Sequence, residues 1–132
     1  MTTEDLIIKV TEEMKDLLIS KNRAYGDSAT NPSNVFSSGS PIDSLCARID
    51  DKLMRIQNKG LNDKTEDTVS DLIGYLILLK VAMYKEKNNE YEEMAESIRL
   101  GGFCNINGTP IDSEEQLKYH YNITDEKVNE EN

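Results

Sequence analysis

The chain has no tryptophan, two phenylalanines and a single histidine among its 132 residues. With so few large rings, its core has to be built mainly from aliphatic side chains. The one histidine, His120, excludes a multi-histidine metal site and argues against a histidine-dependent catalytic triad. Cys46 and Cys104 are too few and too far apart for a disulfide framework or a zinc site. Neither has a histidine partner in its sequence context, so a thiol nucleophile is not expected. Cations are outnumbered as well: 15 Lys and Arg face 25 Asp and Glu, for a net charge of −10. General nucleic-acid binding depends on cations that neutralise phosphates, so no nucleic-acid partner is expected, and adhesion to an anionic membrane is disfavoured for the same reason. The apolar run from Leu72 to Tyr84 is shorter than the ~20 residues that span a bilayer. No basic start precedes an apolar run in MTTEDLIIKV, so no secretion signal is expected and the protein reads as cytoplasmic. Glycine-rich phosphate loops of the Walker type and dinucleotide fingerprints are also missing.

What is present is helical grammar. The length suits one domain with a real core. Thr2 and Asp5 form a capping-box pair, and Leu6, Val10, Met14, Leu17 and Lys21 follow on one helical stripe. Lys21 has two readings: its stem snorkels to water at the helix end, or its ammonium faces a ligand phosphate. The stretch KNRAYGDSATNPSNVFSSGSP has no periodicity and reads as a long loop, a kind that is often functional. Ser40, Pro41 and Asp43 then give strong start signals for a second helix to about Asn58. Ile42, Leu45, Cys46, Ile49, Leu53 and Ile56 make its core face. Its other side carries Arg48, Asp51, Lys52 and Arg55, either a solvated, self-paired stripe or a phosphate site.

Gly60 ends that helix, and a third is expected from about Lys64 to Lys87, broken or bent at Asn88-Asn89 before helix-favouring residues resume to Leu100. Beyond Gly101-Gly102, a hairpin near Asn107-Gly108, a short helix from Pro110 to about Tyr121 and an acidic disordered tail are expected. The expected architecture is therefore an all-α bundle of about four helices over 1–100, a turn and short helix packed on it over 101–122, and a tail over 123–132.

The third helix reads EDTVSDLIGYLILLKVAMY. Asp67 and Asp71, four apart, share a face at the head of a helix that is apolar almost all round. Such a helix is normally central, and an acid entering it needs a cation, a metal or a donor. Helical carboxylates converging in a bundle are one way to hold Mg²⁺; Glu12, Glu13, Asp16, Asp50 and Asp51 are the other candidates. Asp71 can equally be a structural partner of Arg48, Lys52 or Arg55. Leu72, Leu76, Leu79 and Met83 lie on one side of this helix, with Ile77, Leu78 and Val81 roughly opposite. One small bundle has difficulty covering both faces, so a homodimer or homotetramer is expected.

KNRAYGDS, ARIDDKLMRIQN and EDTVSDLIGYLILLK, in this order and spacing, resemble the phage and bacterial nucleotide modification associated domain 1 group. That group is similar to the MazG-like, all-α nucleoside triphosphate pyrophosphohydrolases. The resemblance covers about residues 5 to 86. It implies an oligomeric helical protein acting on nucleotides, with Mg²⁺ held by acids on two adjacent helices and pyrophosphate released from a nucleoside triphosphate. Carried over, Asp67, Asp71 and Asp51 are the catalytic and metal-binding acids, and Arg48, Lys52 and Arg55 face the phosphates. Lys21, Asn22, Tyr25 and Asp27 shape the nucleotide pocket, with Tyr75 nearby.

The chain departs from the superfamily on its second helix, where Asp50-Asp51-Lys52 and Arg55 stand in place of a paired-Glu motif. Fewer acids and more bases favour direct phosphate binding over a multi-metal cage. Two activities are therefore expected in competition. One is Mg²⁺-dependent hydrolysis of a nucleoside triphosphate to monophosphate and pyrophosphate in phage nucleotide metabolism, in the host cytoplasm if the chain is phage-encoded. The other is non-catalytic capture of a nucleotide-derived defence signal. Two or fewer acids facing the pocket favour capture; three or more favour metal catalysis. A purely structural or protein-interaction bundle is the third reading.

Overall fold

The computed structural model describes residues 1–100 and Lys118. The expected hairpin, the Pro110 helix, the tail, Cys104 and His120 lie outside the described residues. Among those described there are three helices and no strand: α1 (Thr3–Tyr25), α2 (Pro41–Lys59) and α3 (Thr68–Arg99). The all-α expectation holds for them, and none of the helices is long and apolar enough to cross a membrane.

Local chemistry sets the helix ends. Thr2 caps α1: its hydroxyl accepts the Asp5 N–H at 3.1 Å, and the Asp5 carboxylate accepts the Thr2 N–H at 2.7 Å. The Thr2 backbone N–H and then its hydroxyl hold the Asp5 carboxyl below its ordinary pKa. At the other end Gly26 takes the left-handed conformation, φ 61°, that terminates helices without strain in a residue lacking Cβ. Ser40 caps α2 by accepting the Asp43 N–H at 3.1 Å, with Pro41 opening the helix.

The third helix begins later than its composition suggests. Asp67 precedes it and caps it, taking the Ser70 N–H at 3.0 Å and the Ser70 hydroxyl at 2.8 Å. A carboxylate just ahead of a helix satisfies otherwise orphaned N–H groups and meets the positive end of the dipole. Residues 60–67 are consequently not helical. At its far end the helix continues through Asn88 and Asn89, without the break considered there.

The chain divides into two compact units, Met1–Met83 and Tyr84–Asn132. Described residues of the second unit include the buried Tyr91 and Ala95. In the first unit α1 and α3 run antiparallel, since Lys21 meets Asp71 while Met14 and Leu18 meet Gly74. A Cβ on Gly74 would lie 3.2 Å from Leu18 Cδ2 and 3.7 Å from Met14 Cε, so its bare backbone permits the close approach.

The core of this unit is thin. Met14, Leu45, Ala82 and Thr68 are buried, yet Leu6, Val10 and Leu53, on the apolar stripes of α1 and α2, are 47–50% exposed, as is Leu76 on α3. Nor is α3 enclosed: Ile77, Val81 and Met83 also reach the surface. A helix apolar all round needs neighbours all round, and this unit supplies only α1 and α2.

Candidate functional site

A cavity of about 330 Å³ opens between α1, the start of the following loop, α2 and the head of α3. Its apolar wall comes from Met14, Leu17, Leu18, Gly74 and Leu78. Its polar wall brings together Lys21, Asn22, Tyr25, Arg48, Asp71 and Tyr75, six of the side chains singled out in the sequence. Lys21 follows the stripe of α1 out of the core, which is why its charge arrives at the cavity mouth. Ser28, Ala29 and Ser70 complete the lining.

The chain reaches Ser28 through consecutive left-handed residues, Gly26 at φ 61° and Asp27 at φ 62°. Asp27 stabilises this reversal: its carbonyl accepts the Asn31 N–H at 2.9 Å, and its carboxylate accepts the Thr30 hydroxyl at 2.8 Å. Aspartate tolerates the left-handed region because its short side chain bonds to the local chain. Asp27 thus shapes the cavity by turning the backbone and does not line it.

Among the described residues, two cations and one carboxylate line the cavity. Asp71 is clamped by both neighbouring helices, with Lys52 Nζ 3.1 Å from Oδ2 and Lys21 Nζ 3.7 Å from Oδ1. The Arg48 guanidinium lies 5.9 Å from the centre of the Tyr75 ring, at cation–π range, and has no ion pair among the described residues.

Lys52 and Arg55 stand behind this wall, engaged by the segment that joins α2 to α3. Lys52 also pairs with Glu66. Arg55 donates from Nε to Asp63 Oδ2 at 2.8 Å and from Nη2 to Thr65 Oγ1 at 2.6 Å, and its Nη1 is 3.2 Å from Glu66 Oε2. Asp63 is held further by Thr65, whose N–H and hydroxyl donate to Oδ1 at 2.9 and 2.6 Å. The Thr65 hydroxyl and N–H, followed by Arg55, keep the Asp63 carboxyl at about 2, below its ordinary 3.8, against the opposing effect of burial. Asp63, Thr65, Glu66 and Ser70 were not among the residues singled out. Only the Asp-x-Thr turn spacing hinted at any of them, since pairing across a non-helical segment leaves no periodic trace.

The acids do not converge. Both oxygens of Asp67 are used in capping; the Ser70 N–H and then its hydroxyl lower the Asp67 pKa, against burial and then the charge of Asp71. Asp51 is exposed on α2 and makes no ion pair or hydrogen bond among the described residues. No group of three or more Asp, Glu, His or Cys among those residues is placed to hold an ion. Among the described residues, Asp51, Asp67 and Asp71 are therefore not gathered around one point as the resemblance implies for a shared Mg²⁺ site.

Chemically, the arrangement offers two aromatic faces, an amide with donor and acceptor, an apolar floor and a net positive rim. That combination suits a flat ring carrying an anionic group. No family model, curated protein or solved structure matches the chain.

Proposed function

We propose that this cavity binds a phosphorylated nucleoside and holds it without requiring a metal. The supporting observation is the convergence of Lys21 and Arg48 with Tyr25, Tyr75 and Asn22 on one cavity to which, among the described residues, Asp71 contributes the sole carboxylate. Lys21 and Arg48 take the phosphate, the tyrosines flank the base, and the Asn22 amide bonds its edge. One acid in the wall falls on the capture side of the distinction drawn from the sequence. The resemblance to nucleotide-handling bundles adds the expectation of a nucleotide and of action in the cytoplasm, that of the host if the chain is phage-encoded.

Hydrolysis is the second reading, favoured by the same Asp71. It requires Asp51 and Asp67 to join Asp71 around Mg²⁺, and a substrate with a cleavable phosphoanhydride. A thermal-shift and calorimetric screen of nucleotides, each with Mg²⁺ and with chelator, decides between the two. Binding that persists in chelator with no product by chromatography supports capture. Appearance of monophosphate and pyrophosphate supports hydrolysis, and silence across the screen removes both.

The thin core further supports association with a second copy of the chain through the exposed aliphatic residues of α1 and α3. Two copies burying these faces against one another make a homodimer, and pairing of both apolar sides of α3 makes a homotetramer.

A further inference from the structure

We infer that the ligand of this cavity carries a single phosphate group, because the cations that would hold a second and third are already held by Asp63 and Glu66. The inference rests on the nucleotide-binding reading above and narrows its substrate class.

Three observations carry it. First, the cations behind the cavity are committed. Lys52 is only 18% exposed at its side chain, lies between the carboxylates of Asp71 and Glu66, and does not line the cavity. Arg55 spends its guanidinium on Asp63, Thr65 and Glu66. The Asp63 side chain is 7% exposed and Arg55 is 35% exposed, so Arg55 is partly shielded and held by several partners at once. A triphosphate drawing on these lysine and arginine groups must first strip them from their own acids and leave two carboxylates uncompensated beside it.

Second, the charge left at the cavity is small. Lys21 and Arg48 face Asp71 there, which matches an anion of one or two charges and not a polyphosphate lacking a metal. Third, the volume is at the small end of ligand pockets, whose usual range begins near ~300 Å³. One nucleoside with one phosphate suits that space better than a dinucleotide.

The test is calorimetric titration of the full-length protein in chelator with two matched series: adenosine, AMP, ADP and ATP, then thymidine and its mono-, di- and triphosphates. In at least one series the monophosphate is expected to bind about tenfold tighter than the nucleoside, the yield of one charge-assisted contact. Further phosphates should alter affinity by less than about threefold, within the range of weak exposed pairs. Glu66→Gln, which takes one acid from both Lys52 and Arg55, should then improve triphosphate binding by about tenfold and leave the monophosphate unchanged. A wild-type protein that prefers triphosphate to monophosphate by more than tenfold overturns the inference while leaving the nucleotide reading intact. Binding by no member of either series overturns both. If Glu66→Gln does not fold by circular dichroism, the wild-type series decides alone.

Discussion

Asp71 of α3 and Lys52 of α2 meet at 3.1 Å, and this pair ties the only carboxylate that lines the cavity among the described residues to the ionic cluster behind it. Both side chains are mostly shielded, at 24% and 18% exposure, so the contact is stronger than a surface ion pair. Asp71→Asn is expected to cost about 1–2 kcal/mol of stability, because it leaves Lys52 and Lys21 without one of their ion-pair partners. Because it also removes negative charge from the cavity, it should tighten binding of a nucleoside monophosphate. Urea titration and calorimetry on the same variant check the two effects. Under the hydrolytic reading it abolishes turnover instead.

Arg48 offers the complementary measurement. It is exposed and has no ion pair among the described residues, so Arg48→Ala should leave the melting temperature nearly unchanged. Its loss is expected to weaken monophosphate binding by about 1–3 kcal/mol. Arg48→Lys should recover only part of that, since an ammonium neither forks onto phosphate nor stacks on the Tyr75 ring as a guanidinium does.

Acid should weaken the α2–α3 connection through Asp63. The Asp63 carboxyl is depressed to about 2 from 3.8, so the unfolded chain binds more protons than the folded one between those values. The stabilisation from this carboxylate is complete above about pH 4 and is lost as pH falls through about 2. Asp67 and Asp5, also depressed, contribute with the same sign. Denaturation midpoints measured from pH 7 down to 2 should fall less steeply for Asp63→Asn than for the wild type. Parallel curves contradict the assignment.

Gly74 tests the packing of α1 on α3. Alanine there gains about 1 kcal/mol of helix propensity but places its Cβ 3.2 Å from a Leu18 methyl, so little net change is expected. Valine adds methyl groups that Leu18 and Met14 cannot all avoid, and overpacking of this kind costs about 1–3 kcal/mol. Gly74→Val should therefore lower stability in urea and reduce ligand affinity together, because the glycine lines the cavity.

The exposed Leu6, Val10, Leu76, Val81 and Met83 lead to an expectation about assembly. Light scattering at micromolar concentration should report a dimer or tetramer, with an interface above ~1,000 Å². Val10→Asp together with Leu76→Asp should yield a monomer that retains its helical circular dichroism. A monomeric wild type contradicts the proposed self-association.

The readable parts of the sequence were those governed within a single turn of chain. Thr2 with Asp5, and Ser40 with Pro41 and Asp43, specify their caps through bonds three residues apart, and both appear where expected. Lys21 was legible as a misfit in an apolar stripe, and it does reach the cavity. Asp67 misled because the spacing from Asp71 suits a shared helix face equally well when the first residue is the cap. Lys52 and Arg55 advertised free positive charge, but their partners Asp63 and Glu66 arrive from a connection without periodicity. Which acid answers which base there is decided by how that connection folds back, a choice that no helical spacing records.

Gly74 and Asp71 sit one turn apart on α3, the first admitting Leu18 and the second receiving Lys21 from the facing turn of α1. A slip of α1 by one turn would set a bulky side chain against Leu18 and strand both charges, so the two helices have one acceptable alignment. Leu17 and Leu78 line the cavity without belonging to either of these two contacts. A change at either position would reshape the cavity on helices already in register.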